Sequence, residues 1–293
     1  MREYALTVAY SKAYLPALCS LFNALDYYGH KDLDIHLLYL NDLNDILPRI
    51  LQADFSFRII PVEAESLFNP AQGIYMNMMF IKYNYAQHLK KYKAVCHLDG
   101  DVLLLDSIMP YLRIASETSL IPCAEFPHSG IDSEYYNVKP ADWVQCMFPF
   151  ANFPVFYNPE RHLDMMKFCW ENMPEPDNED RERNNEMYVF NKAVYDCGKI
   201  LNILPLPGNP WIGDKYLGHE PLSFSFASGK LQVRDFLGDR VHLVHNKYWK
   251  DGVAQAEIER SGGNSNALHN IALIRRATDF FNNDYKLKLE TLQ

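Results

Sequence analysis

The sequence predicts an α/β fold, a mostly parallel sheet with helices on both faces. Two observations carry the prediction. Strand-like apolar runs alternate with stretches whose apolar residues recur at helical spacing, and those helices are long enough to cross over between parallel strands. The acidic triplet Asp99-Gly100-Asp101 stands between the apolar runs 94–98 and 102–105. That position is the carboxyl end of a strand, beyond which sheets of this kind bind their ligands.

Taken in order, residues 4–8 read as a buried strand. Residues 14–28 follow as a helix, with Leu15, Leu18, Leu21, Phe22 and Leu25 on one face, and Gly29 ends it. Residues 33–40 are a second strand, 43–51 a helix begun by Asn41 or Asp42, and 55–62 a third strand. A loop through Asn69-Pro70 leads to a helix over 78–91, and a fourth strand delivers Asp99. Beyond Asp101 the regularity declines. A short helix over 109–115 and a strand over 119–125 precede 128–153, which is long and irregular, with Tyr135, Tyr136, Trp143, Phe148 and Phe150. Such a segment reads as a substrate-facing insertion.

A strand over 153–157 and a helix opened by Pro159 and running to 173 come next. A charged loop over 175–185, a helix over 186–197 and a strand over 201–206 follow. Pro205, Pro207, Gly208 and Pro210 then form a rigid turn before Trp211. Residues 240–245 are a last strand. Ser261-Gly262-Gly263-Asn264-Ser265 reads as a hinge before an amphipathic helix over 267–289. The expected organisation is one domain over 1–260 and a C-terminal hinge and helix over 261–293, packed on that domain or extending it.

Composition bounds the function. The chain has 293 residues, 48% hydrophobic and 14% aromatic, which supplies a large core. Its net charge of −9 argues against nucleic-acid binding through a broad basic face. An anionic substrate therefore needs a local device: a metal, a helix N-terminus or a few placed Lys and Arg. No apolar stretch approaches the roughly 20 residues of a membrane span, and Met1-Arg2-Glu3 carries no signal-peptide pattern. The six cysteines are scattered, without a Cys-x-x-Cys pair, and read as reduced core thiols. Together with the absence of any Asn-x-Ser/Thr acceptor, this gives a cytoplasmic expectation, with peripheral membrane contact left open.

The triplet carries the chemistry. Carboxylates rarely enter a core unless they are paired or bind a cation. In extended backbone, side chains two apart point to the same face, so Asp99 and Asp101 can aim at one point. Gly100 lets a ligand or a tight bend come close. Hard oxygen ligands suit Mg²⁺ or Mn²⁺, commonly shared with substrate phosphates. Asp-Gly is equally the composition of an ordinary turn.

The ordered set of stretches resembles GT-A fold glycosyltransferases, closest to glycosyltransferase family 8. The resemblance rests on Ala5-Leu6-Thr7-Val8-Ala9-Tyr10 and on Lys82-Tyr83-Asn84-Tyr85-Ala86 running into Val95-Cys96-His97-Leu98-Asp99-Gly100-Asp101-Val102. It continues in Ala151-Asn152-Phe153-Pro154-Val155-Phe156-Tyr157-Asn158, in Glu186-Met187-Tyr188-Val189-Phe190-Asn191, and in Val241-His242-Leu243-Val244-His245-Asn246-Lys247-Tyr248-Trp249. The departures are Lys82 where the family often has Arg, a degraded Asn-Ala-Gly signature, a single carboxylate in the fourth stretch, and a closing motif one residue shorter between its first His and its Lys.

The resemblance implies a Rossmann-like mixed sheet with an acceptor-side insertion, and metal-dependent transfer of a hexose from a nucleotide sugar, a UDP-sugar, to an acceptor hydroxyl with retention. It implies Mn²⁺ or Mg²⁺ on Asp99 and Asp101, completed by His242 or His245, with the Val-His-Leu setting favouring His242. Ala9, Tyr10, Ser11 and Tyr14 would line the nucleotide. Lys82 would reach the donor phosphate or sugar, and Gly100 and Asn191 would adjoin the donor. Glu186 would be the active-site carboxylate, with Asn152 holding hydroxyls and Lys247 stabilising the diphosphate. The acceptor, whether carbohydrate, lipid-linked or protein, is not specified. Two other readings compete: a catalytically inactive carbohydrate- or nucleotide-binding protein, and a sugar-nucleotide pyrophosphorylase. The latter is disfavoured because the first glycine, Gly29, follows the first helix rather than the first strand.

Overall fold

The structure is a computed structural model that describes residues 2–98, 102–104, 107–124, 152–174, 186–199, 202–206, 223–225 and 279–292. The first three strands are β1 (Tyr4–Tyr10), β2 (Leu33–Tyr39) and β3 (Arg58–Glu63). They are joined by α1 (Leu15–Tyr27) and by the short α2 (Leu47–Gln52). Then come α3 (Ile74–Tyr85), β4 (Ala94–His97), β5 (Val102–Leu104), α4 (Met109–Glu117) and β6 (Ile121–Ala124). After them lie β7 (Asn152–Tyr157), α5 (Pro159–Glu171), α6 (Glu186–Asp196), β8 (Ile203–Leu206) and β9 (Ser223–Ser225).

The main sheet has seven strands in the order β3-β2-β1-β4-β7-β6-β8. The pairs from β3 to β4 are parallel, β7 runs antiparallel to both its neighbours, and β6 pairs parallel with β8. This is the mixed, mostly parallel sheet expected. Strands β5 and β9 form a separate antiparallel ribbon.

Period two along the strands sorts their side chains between two cores. Leu6, Val8 and Tyr10 of β1 share one core with α1, and Ile35 and Leu37 of β2 lie in the same core. Ala5 of β1 and Val95 of β4 face α3, α5 and α6. β4 is continuously buried, as a central strand covered on both faces should be. Of the six cysteines, Cys19, Cys96, Cys123 and Cys169 are buried free thiols and Cys197 is half-buried, in line with the reduced-core reading.

Several boundaries differ from expectation for local reasons. α1 ends as expected: Gly29 takes φ +76°, and the His30 amide reaches back to the Leu25 carbonyl. The helix expected over 43–51 is instead a 3₁₀ turn, Asn41–Leu43, followed by α2, which opens with Pro48 in its first turn. α3 starts at Ile74, before the expected 78. Asn77 is buried there, accepting from the Asn69 amide and donating to the Asn69, Gln72 and Gly73 carbonyls, so it braces the preceding loop from inside the first turn. The same helix stops at Tyr85 and continues as a 3₁₀ turn rather than running to 91. β3 begins at Arg58, later than the expected 55, after Phe55 and Phe57 have stacked on one another.

The largest correction is at the C-terminus. Residues 279–292, which include the described part of the helix expected over 267–289, form a π-helical turn (Phe280–Asp284), an extended piece and a 3₁₀ turn (Leu289–Thr291). It packs against α1 through Phe281, Leu287 and Leu292. Pro205 of the expected proline-rich turn lies in β8, and the rest of that turn, the aromatic stretch 128–150, the strand over 240–245 and the hinge lie outside the described residues.

Candidate active site

β1, β2 and β4 are parallel, so their carboxyl ends open on one edge of the sheet. Two expected site segments leave from that edge. The first follows β1: Ser11 is extended, Lys12–Tyr14 forms a 3₁₀ turn, and the Tyr14 amide donates to the Ser11 carbonyl at 3.0 Å. Asp42 holds this turn by accepting from the Lys12 amide at 2.9 Å. Ala9, Ser11 and Tyr14 are half-buried, whereas Tyr10 is wholly enclosed in the α1-side core. The second segment follows β4. The Leu98 amide donates to the Thr7 carbonyl at 3.0 Å, so β4 stays registered against β1 to the residue before the acidic triplet.

Beneath the end of β4 lies a buried ion pair. Lys82 of α3 places its Nζ 2.8 Å from Oε1 of Glu186, the first residue of α6, with the two side chains 3% and 7% exposed. The sequence expectation places both residues at the donor, against rival readings of a solvated helix face and a simple helix-start glutamate. The geometry rejects the solvated face for Lys82. A carboxylate at the first position of a helix is also favoured by the helix dipole. Asn191, further along α6, is 1% exposed, so it too faces inward.

Polar side chains at the end of β4 adjoin Lys82, whose Nζ lies 6.0 Å from the Tyr83 ring centroid and whose charge reaches His97. Thr7 Oγ1 is hydrogen-bonded to His97 Nδ1. The Tyr83 ring meets His97 edge-on at 5.9 Å, and the Tyr157 ring lies 4.8 Å from it. Burial, with the Lys82 charge adding to it, holds His97 well below the ordinary histidine range and therefore neutral. Burial pushes the Cys96 thiol well up, opposed by Lys82. Burial likewise raises the Tyr157 hydroxyl. Among these described side chains the charges are those of Lys82 and Glu186, which face one another. His97 and Tyr157 were not singled out from sequence. Their signal was the departure from apolar character in strands otherwise fit for a core.

Not every expected residue is described. Asp99, Gly100, Asp101, His242, His245 and Lys247 lie outside the described residues. Asn152 begins β7, where only its backbone is described. Among the described residues no cluster of three His, Cys, Asp or Glu could hold a metal ion, and no helix is long and apolar enough to cross a membrane.

No family model matches the sequence, and no curated protein matches it. Solved structures do share the fold. The apo form of glycosyltransferase GlyE from Streptococcus pneumoniae TIGR4 is 14% identical, with a TM-score of 0.53 over 95% of this chain and 63% of GlyE. A second GlyE crystal structure is 13% identical, with a TM-score of 0.51 over 99% of this chain and 66% of that one. The apo structure of the bifunctional glycosyltransferase WbbM is 12% identical, with a TM-score of 0.51 over 84% of this chain and 44% of WbbM. The chain thus spans about two thirds of GlyE and under half of WbbM. Its architecture is the GT-A glycosyltransferase fold, a Rossmann-like mixed sheet flanked by helices.

Proposed function

We propose that this chain is a glycosyltransferase that moves a hexose from a UDP-sugar to an acceptor hydroxyl in a metal-dependent reaction. The observation that carries the reading is the buried Lys82–Glu186 pair next to the end of β4, the strand that runs into Asp99-Gly100-Asp101, within a fold shared with glycosyltransferases. Buried charges are expensive to keep away from water. A buried pair beside the end of β4 fits a polar substrate at the carboxyl edge of the sheet.

In this reading Asp99 and Asp101, with His242 or His245, would hold Mn²⁺ or Mg²⁺; two carboxylates and an imidazole are a donor set that suits either ion. The ion supplies Lewis-acid neutralisation of the departing nucleoside diphosphate. Lys82 presents a cation to the donor and Glu186 orients it, leaving a carboxylate beside the reacting sugar. Lys247 adds positive charge at the diphosphate. Asn152 and Asn191 hold sugar hydroxyls, and Ala9, Ser11 and Tyr14 border the nucleotide, with Tyr10 enclosed in the core behind them. The resemblance to family 8 favours retention at the anomeric carbon.

The test is UDP release from a panel of UDP-hexoses with Mn²⁺, comparing the wild type with Glu186→Gln. Release from one UDP-hexose that falls at least about a hundredfold in the variant supports the reading, in line with the loss of one positioned catalytic group. Nucleotide binding without release from any sugar would favour a binding protein that has lost turnover.

A further inference from the structure

α1 carries a polar stripe inside the core. Cys19, Ser20, Asn23 and Asp26 recur at helical spacing on a helix otherwise buried among leucines and Phe22, and all are buried. Each of the four bonds to the C-terminal segment, much of it to backbone. Asn23 donates through Nδ2 to the Leu287 carbonyl at 2.8 Å and accepts at Oδ1 from the Leu287 amide at 3.0 Å. The same Nδ2 also donates to the Phe281 carbonyl. Cys19 Sγ donates to the Leu287 carbonyl at 2.7 Å, and Ser20 Oγ to Asn282 Oδ1 at 3.0 Å. Asp26 takes the Lys286 ammonium at 2.7 Å and the Tyr285 hydroxyl at 2.9 Å, while its other oxygen accepts from the Ser56 amide. Beyond α1, Arg49 donates to the Thr291 carbonyl at 2.8 Å.

A permanent core contact between a helix and its cover needs no such stripe; apolar residues would do it without desolvating an amide and a carboxylate. A polar stripe has one property that an apolar one lacks. When its cover leaves, water satisfies it. The buried apolar anchors of the segment are Phe281, Leu287 and Leu292, and Phe280, Phe281 and Tyr285 also meet the Tyr27 ring of α1 edge-on at 5.5 to 5.8 Å. α1 also packs on β5, whose Val102 and Leu104 are buried in the same core. β5 begins directly after Asp101.

We propose that residues 279–292 are a detachable strap that, by seating on the polar stripe of α1, sets the position of β5 and so of the chain leaving the acidic triplet. The strap is a conformational device independent of what the triplet binds. Its consequence for a donor diphosphate rests on the proposed function and is measured separately.

The test is hydrogen exchange on the full chain, comparing the wild type with Tyr285→Phe/Lys286→Ala, which removes both strap ligands of Asp26, and with Asn23→Ala, which removes the backbone-reading amide. Peptides covering 279–292, 15–27, 102–104 and, as reference, β1 and β2 are followed. The strap predicts exchange in 279–292 faster by about tenfold in either variant. It also predicts a rise at 102–104 and unchanged protection in β1 and β2. Faster exchange in the strap with none at 102–104 overturns the proposal, because the strap then controls nothing. Faster exchange in all the peptides together also overturns it, because the segment is then ordinary core. A UDP-dependent thermal shift, run alongside, reports on the donor reading alone: if it is missing from the wild type while 102–104 still responds to the strap, that reading fails and the strap stands.

Discussion

Lys82 and Glu186 meet 2.8 Å apart as a nearly dry ion pair between α3 and the start of α6. Removing one partner takes a close counter-charge from a buried ion. Glu186→Ala is expected to destabilise the fold by about 3 kcal/mol, the low end for a broken buried pair. Lys82→Met/Glu186→Leu, which removes both charges at similar volume, should recover most of that stability. Sugar transfer should stay lost in the double variant. Denaturant unfolding and UDP release measured on the same samples separate the two effects.

Asp34 makes a second, structural ion pair. Burial alone would raise its carboxyl, but hydrogen bonds from Arg58 and Tyr92 and the charges of Arg58 and Arg2 hold it below the usual carboxylate range. A carboxyl depressed in the fold stabilises above its unfolded value of 3.8 and loses that contribution as pH falls through the folded value. Asp34→Asn should therefore cost about 2 kcal/mol at neutral pH, discounted because Arg58 is half in water. The gap between variant and wild type should close below pH 3.8. Urea midpoints measured across that range check it.

His36 sits between two tyrosine hydroxyls, Tyr85 at 3.0 Å and Tyr92 at 2.9 Å. Burial, eased by Asp34 and reinforced by Lys91 and Arg58, lowers it from 6.5 to about 4. The unfolded chain then binds a proton that the folded chain refuses between those values. Stability is expected to fall on acidification through that window by about 1.4 kcal/mol per pH unit at most. His36→Gln should flatten the slope, which melting curves at closely spaced pH values would show.

Asn158 caps α5. Its Oδ1 accepts from the Glu160 and Arg161 amides at 2.9 and 3.1 Å, and its Nδ2 donates to the Lys93 carbonyl. Asn158→Ala should cost about 1 to 2 kcal/mol, with Asn158→Asp keeping the cap. Thermal unfolding of the two variants distinguishes cap from bulk.

The order of strands and helices was legible because each element carries its own period and its own punctuation, as Gly29 does for α1. What sequence could not show was long-range pairing. Lys82 reads as a polar helix residue until α6 brings Glu186 to it. Asn77 reads as an unremarkable helix interior until the loop at Asn69 folds onto it, which is why α3 was expected to start late. Ser20, Asn23 and Asp26 look like breaks in an apolar helix, and their purpose depends on a segment more than 250 residues further along the chain. The C-terminal residues carry helical spacing of apolar groups, yet the partner surface selects a π turn and an extended piece instead. In each case tertiary contact overrode local preference. The acidic triplet and the closing histidines were legible as a motif; their geometry lies outside the described residues.

The proposed function stands on a site for a metal and a nucleoside diphosphate at the end of β4. The most direct test is the melting temperature of the wild type and of Asp101→Ala with UDP, with Mn²⁺ and with both. A native-state ligand raises stability as its concentration exceeds its dissociation constant. The expected result is a shift that needs UDP and Mn²⁺ together and disappears in Asp101→Ala. A folded wild type that shows no shift with UDP and Mn²⁺, or an Asp101→Ala variant that keeps the full shift, would contradict it.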